Sequence, residues 1–299
     1  MNVRHLVIVT FPSEAREYHG RLVTMNKVWL ITGANSGFGR AFAEAAIVEG
    51  DVVVAAARRP DTLAELVAAH PDQVRAVQLD VTDQAAGRAV VEDVLARHGR
   101  IDVLVNNAGR THVGAAEETS DAELRDLFDV HFFGPAELVR AVLPHMRARR
   151  SGAIVQLSSM GGQMSFAGFS AYSATKFALE GFSEALADEV KPLGIKVLIV
   201  EPGAFRTGLW GSASASAEIE DYRATVGATR DMVGGGGGGQ PGDPAKAAAA
   251  VIAALAAEET PLRLPLGGDA LDAIVGRLDT TKADIATWEK TIRETTFDE

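Results

Sequence analysis

A phenol and an ammonium stand four residues apart in Ala171-Tyr172-Ser173-Ala174-Thr175-Lys176-Phe177. In a helix that spacing places both side chains on one face. A tyrosine with its ordinary pKa of about 10 exchanges protons poorly at neutral pH, but a fixed ammonium beside it favours the phenolate and draws that value down. Such a pair suits proton exchange with a carbonyl or an alcohol. Tyr-x-x-x-Lys also recurs by chance on helix surfaces, so its meaning rests on the elements that position it.

Upstream, the apolar strand Val28-Trp29-Leu30-Ile31 runs into Thr32-Gly33-Ala34-Asn35-Ser36-Gly37-Phe38-Gly39, and an Ala-rich helical pattern follows from Arg40 to Glu49. Strand, glycine turn and helix together put backbone N–H groups and a helix N-terminus where a pyrophosphate can sit. Gly33 permits the tight turn, Gly37 the close approach of a dinucleotide, and Gly39 the close packing of the helix. The next buried run, Asp51-Val52-Val53-Val54-Ala55-Ala56, ends in Ala57-Arg58-Arg59-Pro60. A carboxylate there would accept from the ribose 2'-hydroxyl of NAD, whereas an arginine can pair with the 2'-phosphate of NADP. The expected cofactor is NADP(H), with Arg58 the first choice of partner and Arg59 the second; NAD(H) remains possible.

The spacing Thr-Gly-x-x-x-Gly-x-Gly differs from the Gly-x-Gly-x-x-Gly fingerprint of two-domain dehydrogenases. It resembles the glycine motif of the short-chain dehydrogenase/reductase family, in its single-domain branch. Further motifs follow in the family's order: Asn106-Asn107-Ala108-Gly109 after the strand Ile101 to Val105, Ser159 thirteen residues before Tyr172, and Pro202-Gly203 with Thr207 after the strand from Ile195. The resemblance implies that Ser159 orients a substrate oxygen, Tyr172 is the general acid and base, and Lys176 binds the nicotinamide ribose and keeps Tyr172 acidic. It also implies cofactor contacts from Gly33, Asn35, Ser36, Gly37, Phe38 and Gly39, from Asp80 and Val81 at the adenine, and from Asn107, Ala108 and Gly109. Pro202, Gly203 and Thr207 would close over the nicotinamide. In one place the pattern departs: His131 stands where members commonly carry an asparagine holding a relay water at a helix kink. His131 is therefore either a titrating relay member or a packing residue.

That helix is expected to run from about Asp121 to Arg149, capped by Ser120 and kinked by Pro135. The wall of the substrate cavity is expected from Met160 to Phe169, near Gln163 and Met164. Residues 204 to 242 read as a mobile lid that ends in the glycine run 234–239. Asp243-Pro244 starts an Ala-rich helix, and Pro261 to Pro265 reads as an edge strand. From Asp269 to about Glu294 a helix should carry Leu271, Ile274, Val275 and Leu278 on one stripe, packed against the domain or else covering the active-site mouth or a subunit interface.

Alternating strands and helices give an α/β fold, a doubly wound parallel sheet of about seven strands with helices on both faces. One catalytic domain is expected over 25–299. Residues 1–24 form an extension, either upstream of a natural start at Met25 or bearing an extra strand at 5–10. With 47% apolar and 23% charged residues the chain is of ordinary globular composition, and its net charge of −11 argues against a nucleic-acid surface. Cysteine is absent, so thiol chemistry and disulfides are excluded, in keeping with a cytoplasmic location. The histidines are scattered with no His-Glu-x-x-His, and no apolar run spans a membrane. The expected activity is NADP-dependent carbonyl reduction or secondary alcohol oxidation on a hydrophobic small molecule, in a homodimer or homotetramer. Two other readings are an NAD-dependent alcohol or hydroxysteroid-type dehydrogenase and a non-catalytic NADP-binding regulator.

Overall fold

Val28 to Thr32 are buried without alternation, as in a strand covered on both faces. The computed structural model describes residues 26–236 and 238–297, together with an antiparallel backbone pairing of 17–18 with 21–22. The questions of a start at Met25 and a strand at 5–10 fall outside the described residues. Seven parallel strands form one sheet: β1 (Val28–Thr32), β2 (Val52–Ala57), β3 (Val74–Gln78), β4 (Val103–Asn106), β5 (Gly152–Leu157), β6 (Ile195–Pro202) and β7 (Arg263–Leu266). Their order is β7-β6-β5-β4-β1-β2-β3. The order reverses between β1 and β4, and in such sheets ligands bind beyond the strand carboxyl ends at that point.

One face carries α1 (Gly37–Val48) and α8 (Pro244–Ala256), whose Phe42, Ala46, Ala248 and Val251 pack on Ile31, Val105 and Val200. The other carries α3 (Gln84–His98), α5 (Gly134–Arg149) and α6 (Ser170–Val190), with Val94, Val139, Met146 and Leu186 against Leu30 and Ile154. The helix starts were legible: Asp83 and Asp243 accept from Ala86 and Ala245 N–H, and Ser120 forms a capping box with Glu123. No helix among the described residues is long and apolar enough to cross a membrane.

Two expectations about helices need correction. The stretch 121–149 is not one kinked helix but α4 (Asp121–Phe128), a π-helical turn over Asp129–Phe133, and α5. Pro135 lacks an N–H and cannot continue the regular ladder, so the slack appears as the wider turn just before it. Gly134 then lets the bent helix rest on β3's exit: a Cβ there would lie 2.5 Å from the Val81 carbonyl oxygen. At the C-terminus, the long helix α9 (Gly268–Arg293) buries only Ala270 and Ile274, whereas Leu271, Val275 and Leu278 are exposed.

Two buried ionic groups tie the layers together. Asp102 takes Arg100, Arg149 and the Val28 N–H. Burial pushes its carboxyl up, but these partners outweigh burial and hold it below the ordinary range. Arg149, in the last turn of α5, is thus a structural cation. Between α6 and β6, Glu180 and the fully buried Glu201 share one cation, Arg263, at 3.1 and 3.5 Å. Burial and the neighbouring Glu180 carboxylate raise Glu201 to about 7. A folded-state value above the unfolded one means stability present at low pH that is lost as the carboxyl ionises. Glu201→Gln is therefore expected to gain stability relative to wild type as the pH rises through about 7. Chemical denaturation on both sides of that pH checks it; a pH-independent difference contradicts it.

Candidate active site

A cavity of about 700 Å³ opens at the carboxyl ends of β1, β4, β5 and β6. At its β1 end, Thr32 joins two loops: its hydroxyl accepts from the Asn107 and Ala108 N–H groups at 2.9 and 3.0 Å. Asn107 returns its side-chain amide to the Thr32 carbonyl at 2.8 Å, so the glycine loop and the Asn-Asn-Ala-Gly turn move as one piece. Asn106 meanwhile braces β4 to β5 through Gln156 at 2.9 Å.

Gly33, Asn35, Ser36, Gly37 and Phe38 line the cavity, and Ser36 makes no side-chain cap at the start of α1. The first-turn N–H groups therefore lack a side-chain acceptor beside a concave space, which fits a phosphate group. Gly39 lies outside the cavity lining, and a Cβ there would fall 2.2 Å from the Gly33 carbonyl oxygen, the close packing expected of it. Gly37 has φ +53, and its absent Cβ would meet Thr207 at 2.9 Å, so the close approach is to the β6 exit loop as well. Arg58, Asp80 and Val81 line the same end, Arg58 and Asp80 exposed; Arg59 does not reach it. Asp80 spends one carboxylate oxygen on Thr82 N–H and hydroxyl.

At the other end β5 delivers Ser159, whose Oγ accepts from the Gly161 N–H at 3.0 Å. That bond fixes the oxygen and leaves the hydroxyl proton to donate. Glycine at 161 keeps the space between the reacting groups open: a Cβ there would lie 3.3 Å from Tyr172 Cε1 and 3.4 Å from Ser159 Oγ. Ser158 is buried beside Gly162. Lys176 Nζ lies 5.8 Å from the Tyr172 ring centre and donates to the Leu157 carbonyl at 2.8 Å.

The expected acidic phenol is not what the protein alone presents. Burial raises Tyr172 above its ordinary pKa, with a hydrogen bond from Ser159 opposing. Burial also lowers Lys176 to about 8, against the pull of Glu180, so the ammonium does not outweigh the loss of water around the phenol.

His131 lies in the π-helical turn, nearly inaccessible, with both ring nitrogens engaged. Nε2 accepts the Arg110 N–H at 3.1 Å, which requires the proton on Nδ1; Nδ1 faces Thr175 Oγ1 at 2.8 Å. The Thr175 hydroxyl in turn donates a hydrogen bond to the Tyr172 carbonyl at 2.7 Å. Burial first, then the positive charges of Lys176 and Arg110, hold the imidazole well below its ordinary pKa. The ring sits edge-on to Tyr172 at 5.6 Å. Both ring nitrogens are thus engaged within the protein.

The cavity wall also differs in part from expectation. Met160, Gly161, Phe166 and Phe169 line it, but Gln163 turns away to Glu201 at 2.6 Å and Met164 does not reach it. The segment expected as a mobile lid is folded: a 3-10 turn at Trp210–Ser212, a parallel pairing of 214–215 with 112–113, and α7 (Arg223–Gly234). His112 clasps Ser214 and Ser216 at 2.9 and 2.8 Å, and the Arg230–Glu118 pair closes at 2.6 Å. Leu209, Trp210 and Met232 thereby join the cavity. Asp269, also missed, accepts the Ala204 N–H at 2.7 Å and shapes the Gly203 turn. Its separation from that turn in sequence left no local signal, whereas Thr175 stood inside the opening motif.

Comparison with known proteins agrees with this arrangement. A family model described as short chain dehydrogenase matches residues 27–218. The 3-ketodihydrosphingosine reductase of Bacteroides thetaiotaomicron is 41% identical over 199 residues, covering 66% of this chain and 71% of its own. A short-chain dehydrogenase structure from Streptomyces avermitilis superposes with TM-score 0.87 at 62% identity, covering 91% of this chain and 99% of that one. A metagenomic short-chain oxidoreductase in complex with NADP does so at TM-score 0.63 and 30% identity, covering 80% and 96%. With strand order, glycine loop and Ser159, Tyr172 and Lys176 in place, the chain belongs to the short-chain dehydrogenase family and is an NAD(P)-dependent oxidoreductase.

Proposed function

We propose that this protein catalyses reversible, NADP(H)-dependent interconversion of a carbonyl and a secondary alcohol on an apolar small molecule. The observation that carries the proposal is the convergence of Ser159, Tyr172 and Lys176 on one end of a cavity whose other end is an uncapped helix N-terminus. A bound nicotinamide would supply the hydride in reduction and take it up in oxidation. Tyr172 gives its hydroxyl proton to the carbonyl oxygen as the carbon is reduced, and recovers it in the reverse direction. Ser159, its acceptor side held by Gly161, donates to the same oxygen as negative charge develops there. Lys176, its Nζ 5.8 Å from the Tyr172 ring centre, would hold the nicotinamide ribose.

Arg58 stands at the adenine end with no carboxylate at the end of β2, which supports NADP(H) over NAD(H). Phe166, Phe169, Leu209, Trp210 and Met232 give an apolar wall, and a relative named for a long-chain ketone is in keeping with it. Exposed Phe133 and Phe177 support the family-type helix packing between subunits, and a cysteine-free chain suits the cytoplasm.

Tyr172→Phe is expected to lower kcat for carbonyl reduction by about 10²- to 10⁴-fold while NADPH binding by fluorescence titration persists. Ser159→Ala should cost about 10²-fold; near-full turnover in Tyr172→Phe would remove the assignment. Arg58→Ala should shrink the NADPH over NADH advantage in kcat/KM by about tenfold, as expected for loss of a charge-assisted bond; an unchanged ratio moves the selection elsewhere. The remaining role for His131 is to position α6 through Thr175. The kcat against pH profile of His131→Asn is therefore expected to keep the wild-type shape. A wild-type limb near 6.5 that the variant lacks would restore the titrating relay.

A further inference from the structure

Beyond Ile274 the C-terminal helix buries no side chain against the described residues. Residues 275–293 are all exposed and continue α9 for about 28 Å at 1.5 Å per residue. The apolar residues along it are ordered. Leu271, Leu278, Ile285 and Ile292 recur every seventh position, and Ile274 and Trp288, with Thr281 between them, follow three residues behind. Leu278, Ile285, Trp288 and Ile292 are 56, 57, 63 and 50% exposed. Asp279, Ala283, Ala286, Lys290 and Arg293 occupy the opposite face. A seven-residue apolar repeat is the seam of a left-handed coiled coil, and water gives a lone helix no reason to keep one.

We propose that the free half of α9 pairs in antiparallel fashion with α9 of a second copy of this chain. The charges flanking the seam select both occupant and direction. In a parallel pair Arg277 would face the partner's Lys282, and Asp284 the partner's Glu289, like against like. In an antiparallel pair Lys282 faces the partner's Glu289, and the two-fold axis repeats that contact. This register stacks Ile285 on the partner's Trp288 and Thr281 on the partner's Ile292, and sets Leu278 beside the end of the partner's helix. Sliding one heptad towards the body sets Lys282 against itself and Asp284 against itself. Sliding two requires Ile274 in the seam, and that side chain is already buried at 4% exposure in its own subunit. Glu289 now pairs with Arg293 at 2.7 Å on its own helix, an exposed contact weak enough to yield. The seam lies on an element apart from Phe133 and Phe177, so it adds a contact to helix packing through the body.

The test is the mass of the full-length protein by sedimentation velocity across a concentration series, with thermal unfolding as a control for intact folding. Wild type is expected to associate, and Ile285→Asp and Lys282→Glu each to weaken that step by about tenfold or more, as for a central interface residue. The double variant Lys282→Glu/Glu289→Lys is expected to restore it. Association unchanged by Ile285→Asp overturns the proposal, as does wild type that stays a single chain at every concentration. Stronger association in Lys282→Glu, or no rescue in the double variant, overturns the antiparallel register.

Discussion

Lys176 carries its ammonium to a position only 6% exposed, where an unpartnered charge would cost several kcal/mol. It is held by the Leu157 carbonyl at the end of β5, and that bond fixes α6 against the strand that delivers Ser159. On the neighbouring residue, Thr175 bonds at once to the Tyr172 carbonyl and to His131 in the π-helical turn. The first two turns of α6 are thus clamped between β5 and the bend in the α4 to α5 run. The position of the Tyr172 hydroxyl follows from this clamp more than from the intrinsic preferences of its own side chain.

The same burial that orders the site sets its electrostatics. Tyr172 is pushed up and Lys176 down, because both charged forms lose water. A dry site strengthens any charge brought into it. The phenol is therefore poised to respond to what enters the cavity, and the opposite end answers in kind with unspent backbone N–H groups at the start of α1. Between the two ends the wall is apolar, which separates the part of the cavity that recognises charge from the part that receives substrate.

The sheet, its seven strands and the main helices were readable because each rests on a local signal: unbroken apolar runs, Asp and Ser caps, glycine at tight turns. The glycine loop and the Tyr172, Lys176 and Ser159 register were legible for the same reason. What escaped was long-range or cooperative. Gln163 left the cavity for a carboxylate on β6, and Asp269 entered it from a helix start far along the chain. The segment after Thr207 looked unstructured by composition, yet His112, Glu117 and Glu118 hold it from another part of the sequence. The stripe on α9 was visible from its spacing, but only the fold shows that most of it faces outwards.

The central claim is that Tyr172 and Ser159 serve a carbonyl to which hydride is delivered. The direct measurement is single-turnover reduction of apolar ketones and aldehydes with NADPH deuterated at both C4 positions. The account predicts one deuterium on the carbinol carbon of the product and none exchanged with solvent. Stoichiometric NADPH binding with no deuterium transferred to any carbonyl in the panel would contradict it.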